Sequence, residues 1–257
     1  MSFKRAADSL RNQLVKTVGR KIIAVGRNYA EHAAEMGASK PMNPSQGGSP
    51  PLIFLKPTSS YVTSPGPIQI PRGMQLQHEI ELGVVMASPL SSTQVTSAHI
   101  EDPLLLMNHV AGYLCCIDVT ARNIQSEAKK QGHPWTLSKS CDTFTPISEI
   151  IPRRELTDEM VLKNGVELYL SVNDEMRQKD STLSMTWSIP ELLAYISSYI
   201  QLEAGDVVLT GTPGGVGPLE PGDKVLAGIQ GITEMRFDVA ARPMTQWELS
   251  RHRIESQ

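Results

Sequence analysis

Glu79 and Glu81 stand two apart in the stretch LQHEIELGVV, residues 76–85, inside a run of Ile, Leu and Val. Such a run reads as a β-strand, and side chains two apart on a strand point the same way. The two carboxylates therefore share one face, with Ile80 and Leu82 on the other. At ~3.3 Å per residue they lie about 6.6 Å apart. With an effective dielectric of about 20, two full charges at that distance repel by about 2.5 kcal/mol. Partial burial adds a desolvation cost for each ion. Such a pair has three remedies: one carboxylate takes a proton, cationic side chains pair with both, or a metal ion binds between them.

A third acid points to the metal. Asp118 ends another apolar run, LCCID, just before a turn into a helix. Three carboxylates with no His or Cys partner pattern form an all-oxygen set, which suits a hard divalent ion: Mg²⁺ first, with Mn²⁺ or Ca²⁺ as alternatives. An octahedral ion held by three protein oxygens keeps open positions for a chelating 2-oxo acid. The bland reading of the pair is the wet face of a half-buried strand, and that of Asp118 a turn former or helix cap.

Other residues could complete a site. In GRNYAEHAAEMG, His32 and Glu35 lie three apart on a short helix and are therefore neighbours. A carboxylate beside an imidazole holds its tautomer and raises its basicity, which makes a general base for water; a surface pair is the alternative. Lys139, in WTLSKS, could stabilise developing negative charge, or be a surface lysine. LTGTPGGVG lacks the Gly-Lys-Ser/Thr ending of a phosphate loop and no helix follows it. Its backbone N–H groups and Thr212 could still cradle a substrate carboxylate.

The elements that must position these residues follow from local pattern. KIIAVGRN (21–28) reads as a strand running into a turn, YAEHAAEMG (29–37) as a short helix stopped by Gly37, and LIFLK (52–56) as a buried strand. VAGYLCCIDVTA (110–121) reads as a buried strand and ARNIQSEAKKQG (121–132) as a helix with Gly132 at its C-terminal stop. VELYLSVNDEMRQ suggests a hairpin about Asn173–Asp174. SIPELLAYISSYIQL (188–202) reads as a helix with Pro190 near its start. GDVVLTGTPGGVGPL is a strand feeding a glycine-rich loop, and PGDKVLAGIQGITEMRFDV a turn-linked strand pair. Strands outnumber helices without alternating regularly with them, so the expected class is α+β, β-rich, rather than doubly wound.

The 257 residues suffice for one large domain. The expected division is an N-terminal segment 1–20, a single catalytic domain 21–245 with a lid region about 28–51, and a C-terminal tail 246–257. The lid expectation rests on residues 38–51, which hold four Pro, two Gly and three Ser. A net charge of −3 gives no pull toward nucleic acid or anionic membrane, and no apolar run approaches a spanning helix. Three cysteines without metal-type spacing argue for reduced thiols inside the cell. Residues 1–21 carry six Lys/Arg and one acid, with apolar residues at helical spacing. That fits a mitochondrial targeting segment; if it is an ordinary surface helix, the location is cytoplasmic.

VGRNYAEHAAEM, LIFLKP, HEIELGVV, CIDVTARNIQSEAKKQGHPWTLSKSCDTFTPI and LEAGDVVLTGTPGGVGPL, together spanning about residues 21–240, resemble the fumarylacetoacetate hydrolase family. The nearest likeness is to its short eukaryotic branch of acylpyruvate hydrolases, oxaloacetate decarboxylases and oxaloacetate tautomerases. The resemblance implies a mixed β-sandwich roll, usually a homodimer, acting on a small 2-oxo acid. It implies Mg²⁺ or Mn²⁺ held by Glu79, Glu81 and Asp118, and water activated by His32 and Glu35. It also implies that Lys139 stabilises an enolate, with Arg27, Arg122, Gln125 and Thr212 as substrate contacts. One departure is the stretch 38–51, longer than the lid of many relatives. Three reactions share this chemistry: acylpyruvate hydrolysis, oxaloacetate decarboxylation and oxaloacetate tautomerisation. Fumarylpyruvate hydrolysis shares the metal motif, and a non-catalytic metal-binding protein of the same fold is the alternative outside enzymology.

Overall fold

The computed structural model describes residues 20–35, 37 and 50–247. Most of the N-terminal segment, positions 38–49 of the expected lid and the end of the C-terminal tail lie outside the described residues.

The strands are β1 (Ile22–Gly26), β2 (Leu52–Lys56), β3 (Tyr61–Thr63), β4 (Ile68–Ile70), β5 (Leu76–His78), β6 (Ile80–Met86), β7 (Val110–Ile117), β8 (Thr120–Ala121), β9 (Thr145–Ile147), β10 (Ile151–Pro152), β11 (Glu167–Val172), β12 (Glu175–Ser181), β13 (Val207–Leu209), β14 (Gly217–Leu219), β15 (Lys224–Ile229) and β16 (Thr233–Ala241). The α-helices are α1 (Ala30–Glu35), α2 (Ser97–Glu101), α3 (Arg122–Gln131), α4 (Thr136–Lys139) and α5 (Ile189–Ser197). One sheet runs β2-β1-β13-β6-β7-β9-β3, with β10 also paired to β7; a second runs β12-β11-β15-β16-β4; a small third runs β14-β5-β8. Parallel and antiparallel pairs mix in the first two. The β-rich α+β class read from the sequence is the one observed.

Local chemistry explains the elements. Asn173 and Asp174 take positive φ of 52° and 64°, giving the two-residue turn that lets Val172 face Glu175 across the β11–β12 hairpin. Ser188 and Glu191 form a reciprocal capping box at the start of α5. The helix buries Ile189, Leu192, Leu193 and Ile196 at i, i+3, i+4 and i+7. It ends at Ser197 rather than running to Leu202, because Leu202 and Leu90 exchange backbone hydrogen bonds at 3.0 and 2.9 Å. Gly132 closes α3 in the left-handed conformation, φ 69°.

Two strand readings change. LIFLK is an edge strand, paired only with β1, and Leu52 and Leu55 are exposed while Lys56 is buried. The stretch 76–85 is two strands, broken at Glu79. Ile80, Leu82 and Val84 do enter the main core. Val85 enters a smaller apolar cluster with Ile22, Leu114, Cys116 and Leu209. Glu81 projects on that second face, at its end.

Candidate active site

Antiparallel pairing of β6 with β7 sets Ile80 against Ile117 and Glu81 against Cys116. One more step of that register puts Glu79 opposite Asp118, and the Asp118 N–H donates to the Glu79 carbonyl at 2.8 Å. On the other side, β13 pairs with β6, Leu209 against Gly83. The same register carried two residues on brings Gly211 to Glu81, and the Gly211 N–H donates to Glu81 Oε2 at 2.7 Å. Gly211 is irreplaceable on two counts: its φ is 94°, and a Cβ there would lie 2.7 Å from the Asn28 Cβ. Buried Asn28 in turn bonds the Thr210 carbonyl and both backbone groups of Trp187, fixing the base of α1.

Carboxylate oxygens of Glu79, Glu81 and Asp118 lie within 4.8 Å of one another, and all three residues are buried. An all-oxygen donor set of this kind suits a hard divalent ion. These are the residues of the described chain that could hold one.

Cations fill the same space. Lys139 Nζ donates to Glu79 Oε2 at 2.8 Å and to Asp118 Oδ2 at 2.5 Å. Arg122 Nη2 donates to Glu79 Oε1 at 2.7 Å. Lys56, from the end of β2, donates to Asp118 Oδ1 at 2.6 Å. Burial alone would push Glu79 up, but Lys139 and Arg122 outweigh it and hold its carboxyl well below the usual range. Glu81 goes the other way: burial, then the charges of Asp118 and Glu79, push it well above the usual range, against the charge of Lys139 and the N–H of Gly211. Burial opposes the charge on Lys139, yet Asp118 and Glu79 raise its pKa; for Lys56 burial prevails and the pKa falls. One remedy for crowded carboxylates, cationic pairing, is thus in place at Glu79 and Asp118, while at Glu81 burial and its acidic neighbours favour the protonated form.

His32 is buried on α1, with Nδ1 3.8 Å from Glu35 Oε2 and without a hydrogen bond among the described residues. Burial lowers its pKa, as do Arg122 and Lys139, against the pull of Glu79. Glu35 Oε1 accepts from Gly215 N–H at 2.7 Å. The N–H groups of Gly211 and Gly215, read from the sequence as a cradle for substrate, therefore serve the protein's own acids. Thr212 Oγ1 is buried and accepts from Gln178 Nε2 at 2.8 Å. Gln125 is buried and accepts from Arg122 at 2.6 Å. Arg27 stands apart: it is exposed after β1 at φ 74°, and no hydrogen bond or ion pair joins it to the acids among the described residues. Its charge is felt instead at Lys129, over the Trp135 ring. A cavity of about 350 Å³ lined by Glu35, Gln77, Arg122 and Val216 opens beside the cluster.

Sequence reading did not single out Lys56, Asn28 or Gln178. A lysine closing an apolar strand was a visible signal for Lys56. Nothing local marks the other two.

A β-rich α+β fold with a buried, cation-lined, all-oxygen acid cluster beside a histidine offers a site that could hold a hard divalent ion. The sequence pattern described as Fumarylacetoacetate (FAA) hydrolase C-terminal matches residues 21–240, and the chain belongs to that family. It is 45% identical over 227 residues to the mitochondrial oxaloacetate decarboxylase of Dictyostelium discoideum, covering 87% of this chain and 95% of that one. It is 44% identical over 246 residues to a mitochondrial oxaloacetate tautomerase of Oryza sativa subsp. japonica, covering 92% and 96%. Among solved structures, yeast ynq8, a fumarylacetoacetate hydrolase family protein, aligns with a TM-score of 0.77 at 38% identity, covering 91% of this chain and 97% of that one. Fumarylpyruvate hydrolase from Pseudomonas aeruginosa, in complex with Mn²⁺ and pyruvate, aligns with a TM-score of 0.75 at 29% identity, covering 87% and 91%.

Proposed function

We propose that this chain is a divalent-metal-dependent enzyme that turns over small 2-oxo acids, with oxaloacetate as the favoured substrate. The observation that carries the reading is the meeting of Glu79, Glu81 and Asp118 within 4.8 Å, wrapped by three cations. Mg²⁺ or Mn²⁺ would be held by those acids. When bound, such an ion acts as a Lewis acid that polarises a 2-oxo group and favours enolisation. With Glu81 ionised, as a metal ligand must be, the protein side of the cluster is charge-balanced, three acids against Lys56, Lys139 and Arg122. A divalent ion adds two positive charges, so a dianion such as oxaloacetate restores balance where a monoanion does not.

Lys139 and Arg122 supply positive charge to the reacting acid, Thr212 and Gln125 orient it, and Arg27 is a further substrate contact from outside the cluster. Neutral His32, steered by Glu35, removes a proton from water when the substrate is an acylpyruvate. C–C cleavage then gives pyruvate and a carboxylic acid. Oxaloacetate decarboxylation needs no water attack, and tautomerisation needs only proton movement between carbon and oxygen. The names of the two relatives support oxaloacetate, and the His32–Glu35 pair supports hydrolysis as a second reading, with fumarylpyruvate a candidate by likeness to the Pseudomonas enzyme. We also place the protein in mitochondria, as those relatives are named, and as a homodimer. Among the described residues no helix is long and apolar enough to cross a membrane.

The test is a panel of oxaloacetate, its enol, acetylpyruvate and fumarylpyruvate, with Mg²⁺, with Mn²⁺ and after EDTA. Pyruvate, CO₂ and enol absorbance are followed separately. Metal-dependent turnover of oxaloacetate, lost in EDTA and restored by either ion, is expected. Full activity in EDTA, or inertness toward the whole panel, overturns the reading.

A further inference from the structure

Gln178 is the one buried residue of β12, a strand whose other side chains are exposed or half-buried. The β11–β12 register shifts beside it, where Leu170 faces Gln178 but Ser171 faces Met176. A bulge of this kind bends a strand and re-aims side chains. The glycine-rich loop docks on it: a Cβ at Gly215 would lie 2.0 Å from the Arg177 carbonyl oxygen.

Four hydrogen bonds saturate the Gln178 amide. Oε1 takes the Ile80 N–H at 3.0 Å and His78 Nδ1 at 2.9 Å. Nε2 donates to the Pro213 carbonyl at 3.0 Å and to Thr212 Oγ1 at 2.8 Å. The orientation of this amide follows from its neighbours. A backbone N–H only donates and a carbonyl only accepts, so the atom facing Ile80 is oxygen and the atom facing Pro213 is nitrogen. It follows that Nε2 donates to Thr212, whose hydroxyl is then the acceptor in that bond. Its own proton has no partner among the described residues and is left for an incoming acceptor.

We propose that Gln178 is a positioning residue that fixes the Thr212 hydroxyl as a hydrogen-bond donor to the carboxylate of the bound 2-oxo acid. This rests on the 2-oxo acid reading given above. Gln178→Glu would keep both acceptor contacts, to Ile80 and His78, and lose both donors. The Thr212 hydroxyl would then turn to donate to the introduced carboxylate rather than to substrate.

Calorimetry on the Mn²⁺-loaded protein, with pyruvate as the probe, tests this in wild type, Gln178→Glu, Thr212→Val and the double variant. Mn²⁺ affinity and melting temperature are measured for each. Gln178→Glu and Thr212→Val should each weaken pyruvate by roughly 10- to 100-fold, the loss of one hydrogen bond to a charged group. The double variant should be no weaker than Thr212→Val alone, within about twofold, with Mn²⁺ affinity kept. Additive losses in the double variant, or wild-type pyruvate binding in Gln178→Glu, overturn the proposal. Should Gln178→Glu not fold, Gln178→Met carries the same cycle with the same two outcomes. Wild type that binds no pyruvate overturns the 2-oxo acid reading itself; wild type that binds, with an uncoupled cycle, overturns only the role of Gln178.

Discussion

Both carboxylate oxygens of Glu79 and both of Asp118 already have a cationic partner at 2.5–2.8 Å. At His32 the paired acid, Glu35, stays 3.8 Å away, and Nδ1 has no hydrogen bond among the described residues. The two regions also differ in what carries them. The acids sit at the ends of paired central strands, whereas His32 rides a six-residue helix joined to the rest of the fold through Asn28 at one end and Glu35 at the other. Strand register builds the acid cluster to fixed dimensions before anything binds. The histidine arm is held at its base by Asn28 and at its last residue by Glu35 on the Gly215 N–H, and it leaves Nδ1 unpaired among the described residues.

The comparison breaks most sharply at Asp118. Asp118→Asn removes a ligand oxygen's charge and leaves Lys56 and Lys139 facing a neutral group. Mn²⁺ affinity and metal-dependent turnover should both fall by roughly a hundredfold, because the ion loses a charged oxygen and is left beside two lysines whose charge is less well balanced. Titration calorimetry and oxaloacetate assays measure this, and near wild-type Mn²⁺ uptake would refute the cluster as the metal site.

The histidine arm should be separable from the cluster. His32→Ala is expected to slow acylpyruvate hydrolysis by about 10²–10⁴-fold, the usual worth of a general base. Measurable oxaloacetate decarboxylation and Mn²⁺ binding should remain. Equal loss of both reactions would count against a dedicated water base. The pH profile sharpens the point. Burial lowers the His32 pKa below 6.5, and the neutral imidazole is the base. Hydrolysis in wild type should therefore rise with pH through an apparent pKa below 6.5 and level off above it. An inflection well above that value would assign the base to another group.

Lys56 tests the cluster's stability rather than its chemistry. Lys56→Met strips one partner from buried Asp118, and breaking a buried pair costs about 3 kcal/mol. The melting temperature should drop by roughly 6–12 °C, and by less once a divalent ion supplies replacement charge. An equal drop with and without Mn²⁺ would mean that the ion and Lys56 do not share a task.

Much of this site was legible before folding. The close spacing of Glu79 and Glu81, the acid closing LCCID and the His32–Glu35 interval each follow from periodicity, since those residues are near neighbours in the chain. Lys139 and Thr212 stood out in apolar or glycine-rich settings. What escaped were contacts between distant segments. Gln178 sits in a strand that looks wholly solvent-facing, and only a bulge turns it inward. Lys56 closes a strand that reads as buried yet lies at a sheet edge, with its apolar neighbours exposed and the lysine inside.

Residue types and short spacings alone determined the donor chemistry: hard oxygen ligands, an imidazole with a nearby acid, and a β-rich chain to hold them. Tertiary structure decided which charge answers which. Register between β6, β7 and β13 sets Asp118 beside Glu79 and Gly211 beside Glu81, and burial then forces each charge to find a partner or a proton. Such pairing spans tens to more than a hundred residues of chain, and no local pattern encodes it.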